Sequence, residues 1–241
     1  MKRNLFIIIF ILSINLSAFA FKFSPMSTTI GIGPNDNSAL FFLENDSDQA
    51  IAVQVSLAKR EMDIFGVEAN AIVGSELTLY PTQLIIPPNE KRSVKVLWSG
   101  KDQLTKELAY RLIAEQLPIE LEKDKSKKAS IKVLLRYIAA LYVKPADLNS
   151  DISITDFKVV DKKFIIATIN KGKKHQVMTN LMIKFIDEAK NKEVLFKSEE
   201  LKGINGENIL ADSQRLFIFP NLGKFSEIGV NDKVKMSFDK D

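Results

Sequence analysis

The sequence predicts an all-β fold, two immunoglobulin-like β-sandwiches in tandem behind a cleaved signal peptide. Three observations predict it. Apolar and polar residues alternate at period two: Val53, Val55 and Leu57 interleave with Gln54 and Ser56, and Leu77 and Leu79 flank Thr78. Short apolar runs recur with turn signals between them, among them Gly33-Pro34-Asn35, Glu44-Asn45-Asp46-Ser47-Asp48, Pro87-Pro88-Asn89 and Ser99-Gly100-Lys101-Asp102. The pattern then stops at Lys144-Pro145-Ala146-Asp147-Leu148-Asn149-Ser150, where proline ends a ladder and polar residues suit a linker, and it resumes beyond.

Taken from the start, Lys2 and Arg3 precede an apolar run from Leu5 to Leu16 that closes on Ala18-Phe19-Ala20. That order of charge, grease and small residues is a secretory signal, with cleavage expected after Ala20. The run is short for a bilayer span. Residues 1–20 are therefore assigned to the signal, 21–145 to a first sandwich and 146–241 to a second. In the first, the runs Thr28–Ile32, Ala39–Leu43, Ile51–Leu57, Glu76–Ile86, Ser93–Trp98, Leu108–Leu117 and Ile131–Val143 read as strands. In the second, they are Ile152–Val160, Lys163–Asn170, Met178–Ile186, Glu193–Phe196, Arg215–Phe219 and Lys233–Phe238. The mixed-charge stretch Glu122–Lys128 reads as a solvated loop.

Composition narrows the function. The chain has 241 residues, no cysteine and a net charge of +4, which becomes +2 once Lys2 and Arg3 leave with the signal. So small an excess, spread along the chain, leaves no footprint for nucleic acid. A secreted chain without disulfides must hold itself by core burial, and about 220 residues suffice for that. No catalytic set can be nominated. The sole histidine, His175, lies in a turn beside Lys173 and Lys174 and reads as a surface residue. Gly31-Ile32-Gly33 has no helix after it to cradle phosphate, Glu199-Glu200 sits among lysines, and no metal-ligand spacing occurs. The expectation is a protein without enzymatic activity, cofactor, metal or small-molecule substrate.

The informative segment is Ile131–Lys144. As one strand, its odd face carries Ile131, Val133, Leu135, Tyr137, Ala139, Leu141 and Val143, with Leu134, Ile138 and Ala140 on the even face. It is about twice the usual strand length and partly apolar on both sides. A central strand buried on two faces, or two strands split by a bulge, would account for that. So would an edge strand kept for pairing with another chain.

The order and spacing of several pieces carry a resemblance. They are Phe23-Ser24-Pro25, Ala39–Asn45, Leu79-Tyr80-Pro81 with Ile86-Pro87-Pro88, Ser93–Trp98, Tyr110-Arg111-Leu112 with Glu115–Pro118, and Leu135-Arg136-Tyr137 with Leu141–Pro145. In these the chain resembles the periplasmic chaperones of the chaperone–usher pilus pathway, archaic branch. The resemblance implies donor-strand complementation, in which Ile131, Val133, Leu135 and Tyr137 are lent to a pilin subunit that lacks a strand. It also implies a periplasmic location, delivery to an outer-membrane usher, and self-capping as a homodimer when no cargo is bound. Two basic residues usually anchor the subunit's C-terminal carboxylate. Here the matching positions hold Thr28 or Thr29 and Ala140, so Arg136 and Arg111 become the candidate anchors. An interdomain acidic–basic–acidic bridge maps onto Glu107, Lys144 and Asp232. The competing reading is a two-domain envelope or surface binding module of adhesin type, which would need an exposed aromatic platform. The lone Trp98, at the end of a core strand, does not favour it.

Overall fold

The structure, a computed structural model, describes residues 21–118, 133–160, 163–220, 223, 228 and 232–239. The predicted signal, the Glu122–Lys128 loop and Ile131 lie outside the described residues. The first sandwich is built from β1 (Phe21–Ser24), β2 (Ser27–Ile30), β3 (Ser38–Asn45), β4 (Ile51–Met62), β5 (Glu68–Ile72), β6 (Leu77–Tyr80), β7 (Gln83–Ile86), β8 (Lys91–Trp98), β9 (Leu108–Gln116) and β10 (Arg136–Val143). One sheet has the order β1-β3-β8-β6. The other runs β2-β10-β9-β4-β5, with β7 also on β4.

Alternation explains the core. Phe41 and Leu43 of β3, Val94, Val96 and Trp98 of β8, Val53 and Val55 of β4, and Tyr110, Leu112 and Ala114 of β9 all point inward and are buried. Two departures from the sequence reading have local causes. Glu76–Ile86 is two strands in different sheets, because Pro81 cannot donate to a ladder and the chain changes sheet there. β4 runs on to Met62 and turns back as β5, a strand that Ala69, Asn70 and Ala71 do not announce.

A second core, centred on Phe164, Ile166, Leu181, Ile183, Phe185, Phe196 and Phe217, is enclosed by β11 (Ile152–Val160), β12 (Lys163–Asn170), β13 (Gln176–Val177), β14 (Thr179–Asp187), β15 (Lys192–Phe196), β16 (Asn208–Ile209), β17 (Ser213–Pro220) and β18 (Lys233–Asp239). Its sheets run β11-β12-β17 and β15-β14-β18, with a small β13-β16 pair. Each sandwich is tied by one fully buried asparagine. Asn45 Nδ2 donates to the carbonyls of Gln49 (2.8 Å), Ile86 (3.1 Å) and Pro87 (3.1 Å), while its Oδ1 accepts from Ser47. Asn170 does the same for Lys174 and Leu210, and its Oδ1 accepts from the N–H groups of Asp151 and Gly172. These side chains satisfy loop backbone that would otherwise be buried unpaired.

Candidate functional site

Two features converge on β10, an open backbone margin at its start and a buried polar row at its end. Along β10 one margin pairs with β9 from Arg136 to Val143. The other is covered by β2 only where Ala140–Val143 lie parallel to Ser27–Ile30. The Ala140 and Lys144 N–H groups donate toward β2, to Met26 and Ile30, whereas the Leu135 carbonyl accepts from Gln116 on the β9 side. Even-numbered backbone groups therefore face away from β9. At Arg136 and Ile138 no described strand meets them.

The side chains there divide as follows. Val133 is 73% exposed and Leu134 and Ile138 are exposed as well. Leu135 and Tyr137 are half-buried against the first core, and the Tyr137 hydroxyl donates to the Phe21 carbonyl at 2.6 Å. Tyr137 also meets Phe21 edge-on, with ring centroids 4.9 Å apart. The long strand expected from Ile131 starts instead at Arg136, and Val133–Leu135 precede it outside the ladder. Among the described residues the Gln116–Leu135 hydrogen bond is all that continues the pairing there, and Val133 and Leu134 have no described strand to lie against.

Beyond this margin the outer face of the sheet becomes progressively buried. Arg136 lies exposed opposite Glu115; the next rows across β10, β9 and β4 are Ile138–Ile113–Ser56, Ala140–Arg111–Ala58 and Tyr142–Ala109 beside Arg60. The alanines matter. Ala58 and Ala140 leave Arg111 room to lie over the sheet, and Ala109 lets Arg60 reach across to the Tyr142 hydroxyl at 3.1 Å. Both arginines close on Glu68 of β5: Arg111 through Nε at 2.9 Å and Nη2 at 2.5 Å, Arg60 through Nε at 2.7 Å. Burial pushes the Glu68 carboxyl up, but the Arg111 hydrogen bond and the two guanidinium charges outweigh it and hold the carboxyl below its ordinary range. Burial pushes the Tyr142 hydroxyl up in spite of the same two cations.

The second sandwich docks against this row. Asn208 Nδ2 donates to the Tyr142 hydroxyl at 2.7 Å, and the His175 ring stacks on the Tyr142 ring at 3.7 Å. Both the backbone N–H and Nδ1 of His175 lie on Glu107 Oε1, at 3.0 and 2.6 Å. His175 is thus buried in the contact between the sandwiches, not the surface residue the turn suggested. The signal missed was the pairing of a lone histidine with an acid 68 residues away, which no local pattern reveals. A second contact comes from the β4–β5 hairpin. The Ile64 carbonyl accepts from Leu216 N–H on the free margin of β17, and Gly66, at φ +84°, lets Arg215 pass close by. Three buried polar atoms at this junction have no partner among the described residues: Glu107 Oε2, Asn208 Oδ1 and Arg215 Nε.

Of the expected Glu107–Lys144–Asp232 bridge, Glu107 faces the second sandwich but meets His175. Lys144 Nζ reaches the Pro145 carbonyl at 3.5 Å, and Asp232 lies near Lys190. Arg111 is held by Glu68, while Arg136 is open to solvent. Thr28 and Thr29 sit on β2 beside Leu141 and Tyr142, so the positions matched by resemblance do share one corner of the sheet. Trp98 is 4% exposed and offers no aromatic platform. Among the described residues no group of acids and histidine is placed to hold a metal ion, and no helix is long and apolar enough to cross a membrane.

The family profile described as pili and flagellar-assembly chaperone, PapD N-terminal domain, matches residues 22–149. No curated protein matches the chain. Among solved structures, the CsuC–CsuE chaperone–tip adhesion subunit pre-assembly complex, from the archaic chaperone–usher Csu pili of Acinetobacter baumannii, aligns at a TM-score of 0.62. Its identity is 16%, over 90% of this chain and 97% of that one. The class 5 fimbriae chaperone CfaA aligns at 0.58 with 17% identity, over 91% and 100% of the two chains. The Salmonella enterica SafA pilin–SafB chaperone complex aligns at 0.56 with 12% identity, over 85% and 86%. Identities this low establish a shared fold.

Proposed function

Because the chain belongs to the family of pili and flagellar-assembly chaperones, we propose that it captures pilin subunits in the periplasm by lending them the start of β10 and then delivers them to an outer-membrane usher. The observation that carries this reading is the uncovered margin at Arg136–Ala139, continuous with exposed Val133 and Leu134. A subunit lacking a strand would pair its backbone with Arg136 and Ile138, while Ile131, Val133, Leu135 and Tyr137 offer alternate side chains to its groove. Four such side chains at about 1.5–3 kcal/mol each set an upper bound of roughly 6–12 kcal/mol. Leu135 and Tyr137 are already half-buried and deliver less. Association and ordering oppose this with a similar magnitude, so the complex is firm yet open to displacement by a better-fitting strand. No nucleotide is needed.

For the subunit's terminal carboxylate, Arg136 is the accessible cation and Arg111 the occupied one, with Glu68 lying where an incoming carboxylate would bind. Arg60, which the sequence did not nominate, shares that role. Glu107 with His175, in place of a Glu107–Lys144–Asp232 bridge, fixes the angle between the sandwiches.

Co-expression with a fimbrial subunit from the same operon tests the reading. A 1:1 soluble complex is expected, and Val133→Asp together with Leu135→Asp should abolish it while the variant chaperone still folds. Normal capture by that variant would sink strand lending by this segment.

A further inference from the structure

The arginines that could receive a carboxylate already hold one. Glu68 sets both oxygens on Arg111, Oε2 on Nε at 2.9 Å and Oε1 on Nη2 at 2.5 Å, and Oε1 also accepts from Arg60 Nε at 2.7 Å. The edge of Arg111 that takes a carboxylate with two parallel hydrogen bonds is thereby filled from within the chain. The site is not sealed, since the Glu68 side chain is 24% exposed and that of Arg111 17%. A second carboxylate at this edge would face the first, and like charges that close disfavour each other, so it enters as Glu68 leaves.

What Glu68 holds in place is the β4–β5 hairpin. Among the described strands β5 is outermost in its sheet and pairs with β4 alone. Glu68 is its first residue and directly follows a turn that is rigid in itself. Asp63 Oδ1 accepts from the N–H groups of Phe65 and Val67, both at 2.9 Å, and the Asp63 N–H donates to the Val67 carbonyl at 3.0 Å. This turn touches the second sandwich. The Ile64 carbonyl accepts from Leu216 N–H at 2.6 Å, and Met62 Sδ accepts from Arg215 Nη1 at 3.0 Å. Arg215 Nη1 also donates to the Asn208 carbonyl at 2.7 Å, and Asn208 donates in turn to the Tyr142 hydroxyl, on which Arg60 closes. Glu68, Arg60, Tyr142, Asn208, Arg215 and the hairpin thus form a closed circuit that passes from one sandwich to the other and back.

We propose that Glu68 is an internal stand-in for the terminal carboxylate of a captured subunit, and that its displacement unlatches the hairpin from the second sandwich. This rests on the strand-lending reading and adds a consequence to it. The empty chain is held at one angle between its sandwiches, and the loaded chain is released from it. Linkage runs both ways, so whatever loosens the hairpin favours the incoming carboxylate by the same factor.

The test uses the full chain co-expressed with a fimbrial subunit from the same operon. The chain has no cysteine, so Lys95→Cys and Lys235→Cys, at exposed positions one on each sandwich, take a spin-label pair whose separation reports the angle. Without subunit the distance distribution should be narrow in the otherwise wild-type chain and broad in Glu68→Gln; with subunit bound it should be broad in both. Glu68→Gln should also slow release of subunit from the purified complex about fivefold or more, because no internal carboxylate competes for the arginines. Leu216→Pro deletes the N–H that holds Ile64, on the margin of β17 away from β12, and leaves the arginines intact; it should slow release too. Glu61→Gln, exposed on β4, should change neither readout. A merely structural Glu68 would give a broad distribution with release unchanged or faster, and that result overturns the stand-in. A distribution that stays narrow with subunit bound, or release from Leu216→Pro at the wild-type rate, overturns the latch. In each of these cases strand lending stands as long as Val133→Asp with Leu135→Asp abolishes capture. If the wild-type chain captures no subunit, the chaperone reading falls and the stand-in with it.

Discussion

Tyr142→Phe removes a single oxygen, and the structure says what that oxygen holds. The hydroxyl is buried and accepts from Arg60 Nη1 at 3.1 Å and from Asn208 Nδ2 at 2.7 Å, one donor from each sandwich. The ring would remain, still stacked on His175. Loss of a hydrogen bond from a charged group is worth about 1.5–3 kcal/mol and of a neutral one about 0.5–1.5 kcal/mol, because the donors stay buried without an acceptor. The sum is about 2–4.5 kcal/mol. For a protein of this size that lowers the melting temperature by about 4–18 °C. Urea unfolding followed by Trp98 fluorescence reports the first sandwich, and hydrogen exchange of the Phe164–Ile169 amides reports the second. The wild type should unfold with the two probes together, and the variant should show an earlier transition with the probes moving apart. A midpoint within about 0.5 kcal/mol of wild type, with the probes still coincident, would refute the idea that this hydroxyl joins the sandwiches.

Further outcomes follow from the same structure. Asn45→Leu and Asn170→Leu should each destabilise by about 2–4 kcal/mol in chemical denaturation, since each strands several buried loop carbonyls. Gly66→Val should loosen the junction without weakening either core, because φ +84° is strained for valine and its side chain would run into the Arg215 guanidinium; small-angle scattering should show a broader interdomain distribution. Glu68 is held below its ordinary pKa when folded. Its contribution to stability is complete above the ordinary glutamate value near 4.5 and is lost as pH falls through the depressed folded value. Glu68→Gln should flatten that part of the acid limb, and an unchanged limb would count against the two-arginine clamp.

Much of the fold was legible because strand alternation is a local signal. Lys163–Asn170 was readable to the residue, since a half-buried strand writes its inward face into every second position, and Ile152–Val160 was readable in spite of a bulge between Ile154 and Asp156. β5 was not, because Glu68, Ala69 and Asn70 lack strand character and are ordered by pairing with β4. Of the site, the segment around Val133–Tyr137 stood out by its excess of apolar residues. Arg60, Glu68 and His175 were not legible, because their roles are set by cross-strand neighbours such as Ala109, whose contribution is to be small.

The parallel run of β2 against only the last four residues of β10 has a mechanical consequence. It acts as a doorstop. A strand sliding along the exposed margin meets Ser27 at Ala140 and can go no farther, so it must halt at one position. A one-residue slip would turn every side chain to the wrong face. The barrier that ends the groove thus limits how far a strand can advance toward Ala140, while the other end stays open past Val133.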